Sequence, residues 1–116
     1  MLRITRRKIQ EGFVMSFELN VEQGDQLTVH CRGDLDINSS PELKARVLDA
    51  YRKEDKDIVF DFSQLHYLDS TGLGALISIF KNAREKGHTI TIRHAKANVK
   101  KLFVITELDR QFQLED

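Results

Sequence analysis

One change of hydrophobic period, across residues 58–80, constrains this chain more than any other feature. Ile58-Val59-Phe60 is a short β-branched and aromatic run, the pattern of a strand covered on both faces. Leu73, Leu76, Ile77 and Phe80 recur at i, i+3, i+4 and i+7, which places them on one helical face. Between the two patterns lies the polar loop Asp69-Ser70-Thr71-Gly72. A strand followed by a short loop and a helix is the unit of a parallel sheet with helical crossovers. The loop also brings hydroxyls to a helix N-terminus, where backbone N–H groups lack partners and the helix dipole favours negative charge. A hydroxyl there is well set to carry a phosphate.

The flanking sequence fits the same plan. Phe17, Leu19 and Val21 alternate, Glu22-Gln23-Gly24-Asp25 supplies turn residues, and Leu27, Val29 and Cys31 alternate again, which predicts a hairpin with one buried face. Gly33 ends it, and Asp34-Leu35-Asp36-Ile37 follows as a loop with two carboxylates. A helix starts at Ser39-Ser40-Pro41-Glu42: either Ser40 caps it with Pro41 at the first position, or Ser39 caps it in a box with Glu42. Leu43, Val47, Ala50 and Tyr51 form its apolar face, and Lys53-Glu54-Asp55-Lys56 links it to the strand at Ile58. The helix through Leu73 ends near Gly87, a good residue just past a helix end. A strand at Thr89–Ile92 and a helical face at Val99, Leu102, Phe103 and Thr106 complete the order ββαβαβα. Weak alternation at Phe112 and Leu114 leaves a short final strand open. The fold class is α/β: an N-terminal hairpin, then parallel strands with helical crossovers.

The 116 residues suit one domain with a real core. Lys+Arg and Asp+Glu are 18 each, so bulk charge gives no case for nucleic acid. The distribution is uneven: Arg3, Arg6, Arg7 and Lys8 against Glu11 leave residues 1–15 at +3 and the remainder at −3. Residues 1–15 are read as a basic, poorly ordered arm or an upstream extension before a second start at Met15, and residues 16–116 as the domain. The arm lacks the apolar core of a secretory signal, and no run approaches the ~20 apolar residues of a membrane helix. The single cysteine, Cys31, rules out an internal disulfide and points to a reducing cytosol. His30, His66, His88 and His94 show no zinc-site spacing, so no metal or cofactor is expected.

Within the central loop the plain reading is that Ser70 or Thr71 caps the helix. Gly72 and Gly74 fall in the first turn, where each costs up to ~1 kcal/mol against alanine. They point with equal weight to close packing on the sheet or to the close approach of another protein at Ser70. Ala75 and Ile79 widen the apolar arc of the helix, toward a neighbouring helix of the same chain or, less simply, toward a partner. A hydrolase reading is weak: Leu68-Asp69-Ser70-Thr71-Gly72 is not a Gly-x-Ser-x-Gly elbow, and no motif ties His66 to Ser70. Nucleotide-binding glycine patterns are also missing.

Three segments carry a family resemblance. Gly33-Asp34-Leu35-Asp36 is similar to the Gly-Glu-Leu-Asp segment of the bacterial anti-sigma-factor antagonists, the single-domain STAS proteins. Leu68-Asp69-Ser70-Thr71-Gly72-Leu73-Gly74 resembles their phosphoacceptor loop, and Leu102-Phe103-Val104-Ile105-Thr106 their Leu-Phe-x-x-Thr near the end of the last long helix. The resemblance spans about Ser16 to Leu114. Glu107 departs from it, since the family often has glycine there, and this puts the end of that helix in question. The resemblance implies a cytoplasmic binding protein and not an enzyme. Its unmodified form would bind an anti-sigma factor of serine kinase type and release the sigma factor. Phosphorylation at Ser70 would abolish binding, and a phosphoserine phosphatase would restore it. By carry-over, Asp34, Asp36, Asp69, Thr71, Gly72, Leu73 and Gly74 contact the partner or orient the acceptor. No nucleic acid or membrane is implied, and monomer and weak homodimer stay open. The alternatives are a STAS module of another signalling or transport assembly, or a small-ligand or nucleotide-binding module.

Overall fold

The fold is taken from a computed structural model, which describes the backbone of residues 2–10 and 13–116 and the side chains from Phe17 onward. The elements are β1 (Leu2–Gln10), β2 (Phe13–Gln23), β3 (Leu27–Leu35), α1 (Ser40–Lys53), β4 (Ile58–Leu68), α2 (Ser70–Glu85), β5 (Ile90–Arg93), α3 (Ala97–Ile105) and β6 (Gln113–Glu115). They form one six-stranded sheet in sequential order. β1, β2 and β3 are antiparallel neighbours, whereas β3 to β6 run parallel. The expected order is therefore present from β2 to α3, and the final strand is realised as β6.

Period two explains the sheet's two faces. Phe17, Leu19, Val21, Leu27, Val29 and Cys31 are buried, while the intervening Glu18, Asn20, Thr28 and His30 are only partly covered. One face meets the helices and the other carries polar side chains. On that polar face His30 lies between Glu22 and Asp61, its ring nitrogens 2.5 and 3.1 Å from their carboxylates. Phe60, Phe62, Leu76, Ile79, Val99 and Phe103 join the strands in a single core. Among the described residues no helix is long and apolar enough to cross a membrane.

The backbone of Leu2–Gln10 differs from the expected loose arm. It pairs with β2 from Leu2 opposite Val21 to Gln10 opposite Phe13. The outer edge of β2 would otherwise present a row of unpaired N–H and C=O groups, which a preceding stretch of chain satisfies at short loop cost. The side chains of the basic segment lie outside the described residues.

Two predicted helix ends have different outcomes. Gly87 follows α2 with φ +78, and the N–H of His88 returns to the Ala83 carbonyl, closing the helix as expected. At α1 the boundary residue is Ser39, but neither capping scheme forms. The Ser39 hydroxyl turns back, accepting from the Asp36 N–H and donating to the Asp34 carbonyl, and the Ser39 N–H is held by Asp36.

Candidate functional site

The carboxyl ends of β3 and β4 lie side by side, Leu35 opposite Leu68, and the Asp69 N–H donates to the Leu35 carbonyl at 3.3 Å. This brings the loop after β3 against the first turn of α2. Such loops, beyond the carboxyl ends of parallel strands, are where open α/β sheets place their binding groups.

Asp69, and neither hydroxyl residue, caps α2. Its Oδ1 accepts from the Thr71 N–H at 2.9 Å, the Gly72 N–H at 3.0 Å and the Thr71 hydroxyl at 2.6 Å. Partial burial opposes the charge of Asp69, but the Thr71 hydroxyl and the two backbone N–H groups outweigh it and hold the carboxyl below its ordinary range. Two of the donors expected to greet a phosphate, the N–H groups of Thr71 and Gly72, are thus already occupied. Ser70 stands at the first helical position, exposed, and among the described residues its hydroxyl has no partner. Asp69 does not orient that hydroxyl, as the sequence reading had allowed; its acceptor faces Thr71.

Asp36 is likewise engaged elsewhere. Its side chain accepts from the N–H groups of Asn38 and Ser39 at 2.9 and 3.3 Å, so it braces the loop into α1. Asp34 is exposed at the end of β3, in register with Tyr67. Gly33, with φ +101, allows the irregularity in β3 beside it, a backbone shape that side chains disfavour.

The two loop glycines do different things. A Cβ on Gly72 would sit 2.6 Å from the Leu35 carbonyl oxygen and 2.7 Å from Leu68 Cδ1, so Gly72 lets α2 seat on the end of the sheet. A Cβ on Gly74 would meet nothing within 4 Å. Of the two readings of this pair, packing belongs to Gly72, and an open approach is left only at Gly74. Leu73 is turned into the core at 9% exposure, so its surface is spent on packing. Ala75 and Ile79 are also buried; α2 lies against α1 as well as the sheet, and the Tyr51 hydroxyl reaches the Ala83 carbonyl at 3.5 Å. The widened arc at Ala75 and Ile79 is filled by the chain's own helix.

Two residues here escaped the sequence reading. Ile37 and Tyr67 are large apolar side chains left 69% and 48% exposed at this end of the sheet. Ile37 had a visible signal, an aliphatic residue between Asp36 and Asn38 in a polar loop. Tyr67 had none, because it continues a strand pattern.

A family model of the STAS domain matches residues 16–116. The chain belongs to the STAS domain family. Among its relatives are the anti-sigma-B factor antagonists of Listeria monocytogenes, 26% identical over 103 residues covering 88% of this chain and 90% of that protein, and of Bacillus subtilis, 26% identical over 95 residues covering 81% and 86%. The fold of this STAS domain is also that of the anti-sigma factor antagonist SpoIIAA in its unphosphorylated form, with TM-score 0.70, 16% identity and coverage of 84% and 87%. An antagonist from Mycobacterium paratuberculosis superposes with TM-score 0.74 at 23% identity, covering 85% of each chain.

Proposed function

We propose that this STAS domain is an anti-sigma-factor antagonist whose docking is switched off by phosphorylation of Ser70. Its partners are an anti-sigma factor with serine kinase activity and a phosphatase that reverses the modification, all in the cytoplasm. The observation that carries this reading is the state of the loop hydroxyls. Ser70 is exposed and unengaged, while its neighbour Thr71 is held by Asp69. The names of the relatives support the same role.

The site favours docking over catalysis. A serine nucleophile needs a base in hydrogen-bond reach, and among the described residues no histidine bonds to Ser70. At the same end of the sheet are the exposed Ile37 and Tyr67, the carboxylate of Asp34 in register with Tyr67, and an open side at Gly74, the makings of a contact surface.

The switch follows from electrostatics. Phosphoserine brings roughly −1.5 to −2 charges. Asp69 already occupies the N–H groups of Thr71 and Gly72, so the phosphate gains little from them and the fold itself has little reason to change. A partner carboxylate ~5 Å away repels each unit charge by roughly 3 kcal/mol at an effective dielectric of ~20. Halved by screening, this still weakens binding about tenfold or more. The test is affinity for the anti-sigma factor: Ser70→Ala should bind as the wild type does, and Ser70→Asp at least about tenfold more weakly. A Ser70→Asp protein with undiminished affinity ends this reading.

A further inference from the structure

Two adjacent hydroxyls, Ser70 and Thr71, stand at the start of α2, and both belong to exposed residues. A kinase that reaches one could reach the other. They differ in what holds them. The Thr71 hydroxyl donates to Asp69 Oδ1 at 2.6 Å, a short charge-assisted bond, and the same oxygen anchors the N–H groups of Thr71 and Gly72. The Ser70 hydroxyl has no such tie among the described residues.

We propose that Asp69 is the residue that selects Ser70 over Thr71 as the phosphate acceptor, by keeping the Thr71 hydroxyl occupied; this rests on the proposed phosphorylation of Ser70. In the transfer step the acceptor oxygen bonds to the γ-phosphorus of ATP as the bond to the ADP oxygen breaks, and the hydroxyl proton leaves to a base of the kinase. Thr71 cannot enter this step without releasing its proton from Asp69 and swinging its oxygen away from a carboxylate. It would lose a hydrogen bond to a charged group. Ser70 gives up nothing of the kind. Asp69 is thus a positioning residue: it acts through Thr71 and through the three bonds that fix the first turn, and does not itself touch the phosphate.

The experiment maps modified residues by mass spectrometry after incubation of the full chain with ATP and an extract of the cells that make it. Wild type should carry phosphate on Ser70 with Thr71 unmodified. Asp69→Ala frees the Thr71 hydroxyl, and the ratio of Thr71 to Ser70 phosphate should rise roughly tenfold or more, the scale of one lost bond to a charged group. Asp69→Asn keeps an acceptor oxygen without the charge and should bring the ratio back part of the way to wild type. In a Ser70→Ala background, labelling should appear only when Asp69→Ala is added, on Thr71. Because the ratio is internal to one folded molecule, a loss of stability in Asp69→Ala does not mimic the effect. Phosphate confined to Ser70 in both wild type and Asp69→Ala overturns the role of Asp69 alone. Absence of phosphate from Ser70 in the wild type removes the functional reading and this inference with it.

Discussion

Glu107 holds a left-handed backbone, φ +60 and ψ +19, just beyond the end of α3. The family resemblance expects glycine there, and the geometry shows why: the turn that stops the helix needs positive φ, which a Cβ makes costly. The helix still ends on time, at Ile105, with the Glu107 N–H returning to the Val104 carbonyl. Glu107→Gly should therefore raise stability by roughly 0.5–1 kcal/mol, the relieved strain less the added freedom of the unfolded chain, measured by urea denaturation. The loop glycines give a paired prediction of opposite sign. Gly72→Ala should destabilise by about 1–3 kcal/mol, since its Cβ must displace the Leu35 backbone. Gly74→Ala should stabilise by roughly 0.4–1 kcal/mol. If Gly74→Ala also weakens binding to the anti-sigma factor, the bare surface there serves the partner; unchanged binding would mean that the partner does not come that close.

At the scale of the element, α2 depends on a cap that titrates. Asp69→Ala should cost ~1 kcal/mol at neutral pH. The folded-state pKa of Asp69 lies below the ordinary carboxylate value, so its stabilisation is complete above the unfolded pKa, about 3.9, and is lost as pH falls through the lower folded value. The stability gap between wild type and Asp69→Ala should be constant from about pH 5 to 7 and shrink below about pH 4. A gap that stays constant down to about pH 2 would show that the cap does not depend on its charge. Helix α2 also marks the limit of periodicity as a guide. Ile77 and Phe80, placed at the centre of the predicted face, are only partly buried, whereas Ile79 is fully buried. A wheel drawn for one contact surface misjudges a helix that packs on a sheet and a second helix together.

At the scale of the whole molecule, β3 runs through the middle of the sheet with Cys31 at 2% exposure. Burial, aided by the nearby charge of Asp61, pushes its thiol well above the ordinary range. Labelling of Cys31 by a thiol reagent should be negligible in the native state. Its rate should follow the global unfolding equilibrium as urea is added; rapid labelling without denaturant would reveal local opening of β3. The domain boundary is tested at this scale as well. A chain of residues 16–116 should unfold in one cooperative transition, followed by circular dichroism and by fluorescence of its tyrosines, and a transition that differs between the two probes would assign β1 a part in the cooperative unit.

The alternation of two hydrophobic periods was enough to define the elements from β2 to α3, because burial of one face per strand and one stripe per helix imposes period on composition. The same local pattern located Ser70 in a loop between a strand and a helix. It could not say which oxygen caps α2, because Asp69, Ser70 and Thr71 are all competent caps, and the choice depends on the end of β3, where the Leu35 carbonyl holds the Asp69 N–H. Nor could it separate Gly72 from Gly74, which are alike until Leu35 and Leu68 arrive beneath one of them. Strand β1 was hidden for a similar reason: pairing along the β2 edge is made by backbone groups that every residue carries, so no side-chain pattern announces it. Sequence determined the elements from β2 to α3 and the exposed loop; contacts between distant segments decided which groups in that loop are spent on holding the fold and which are left free to act.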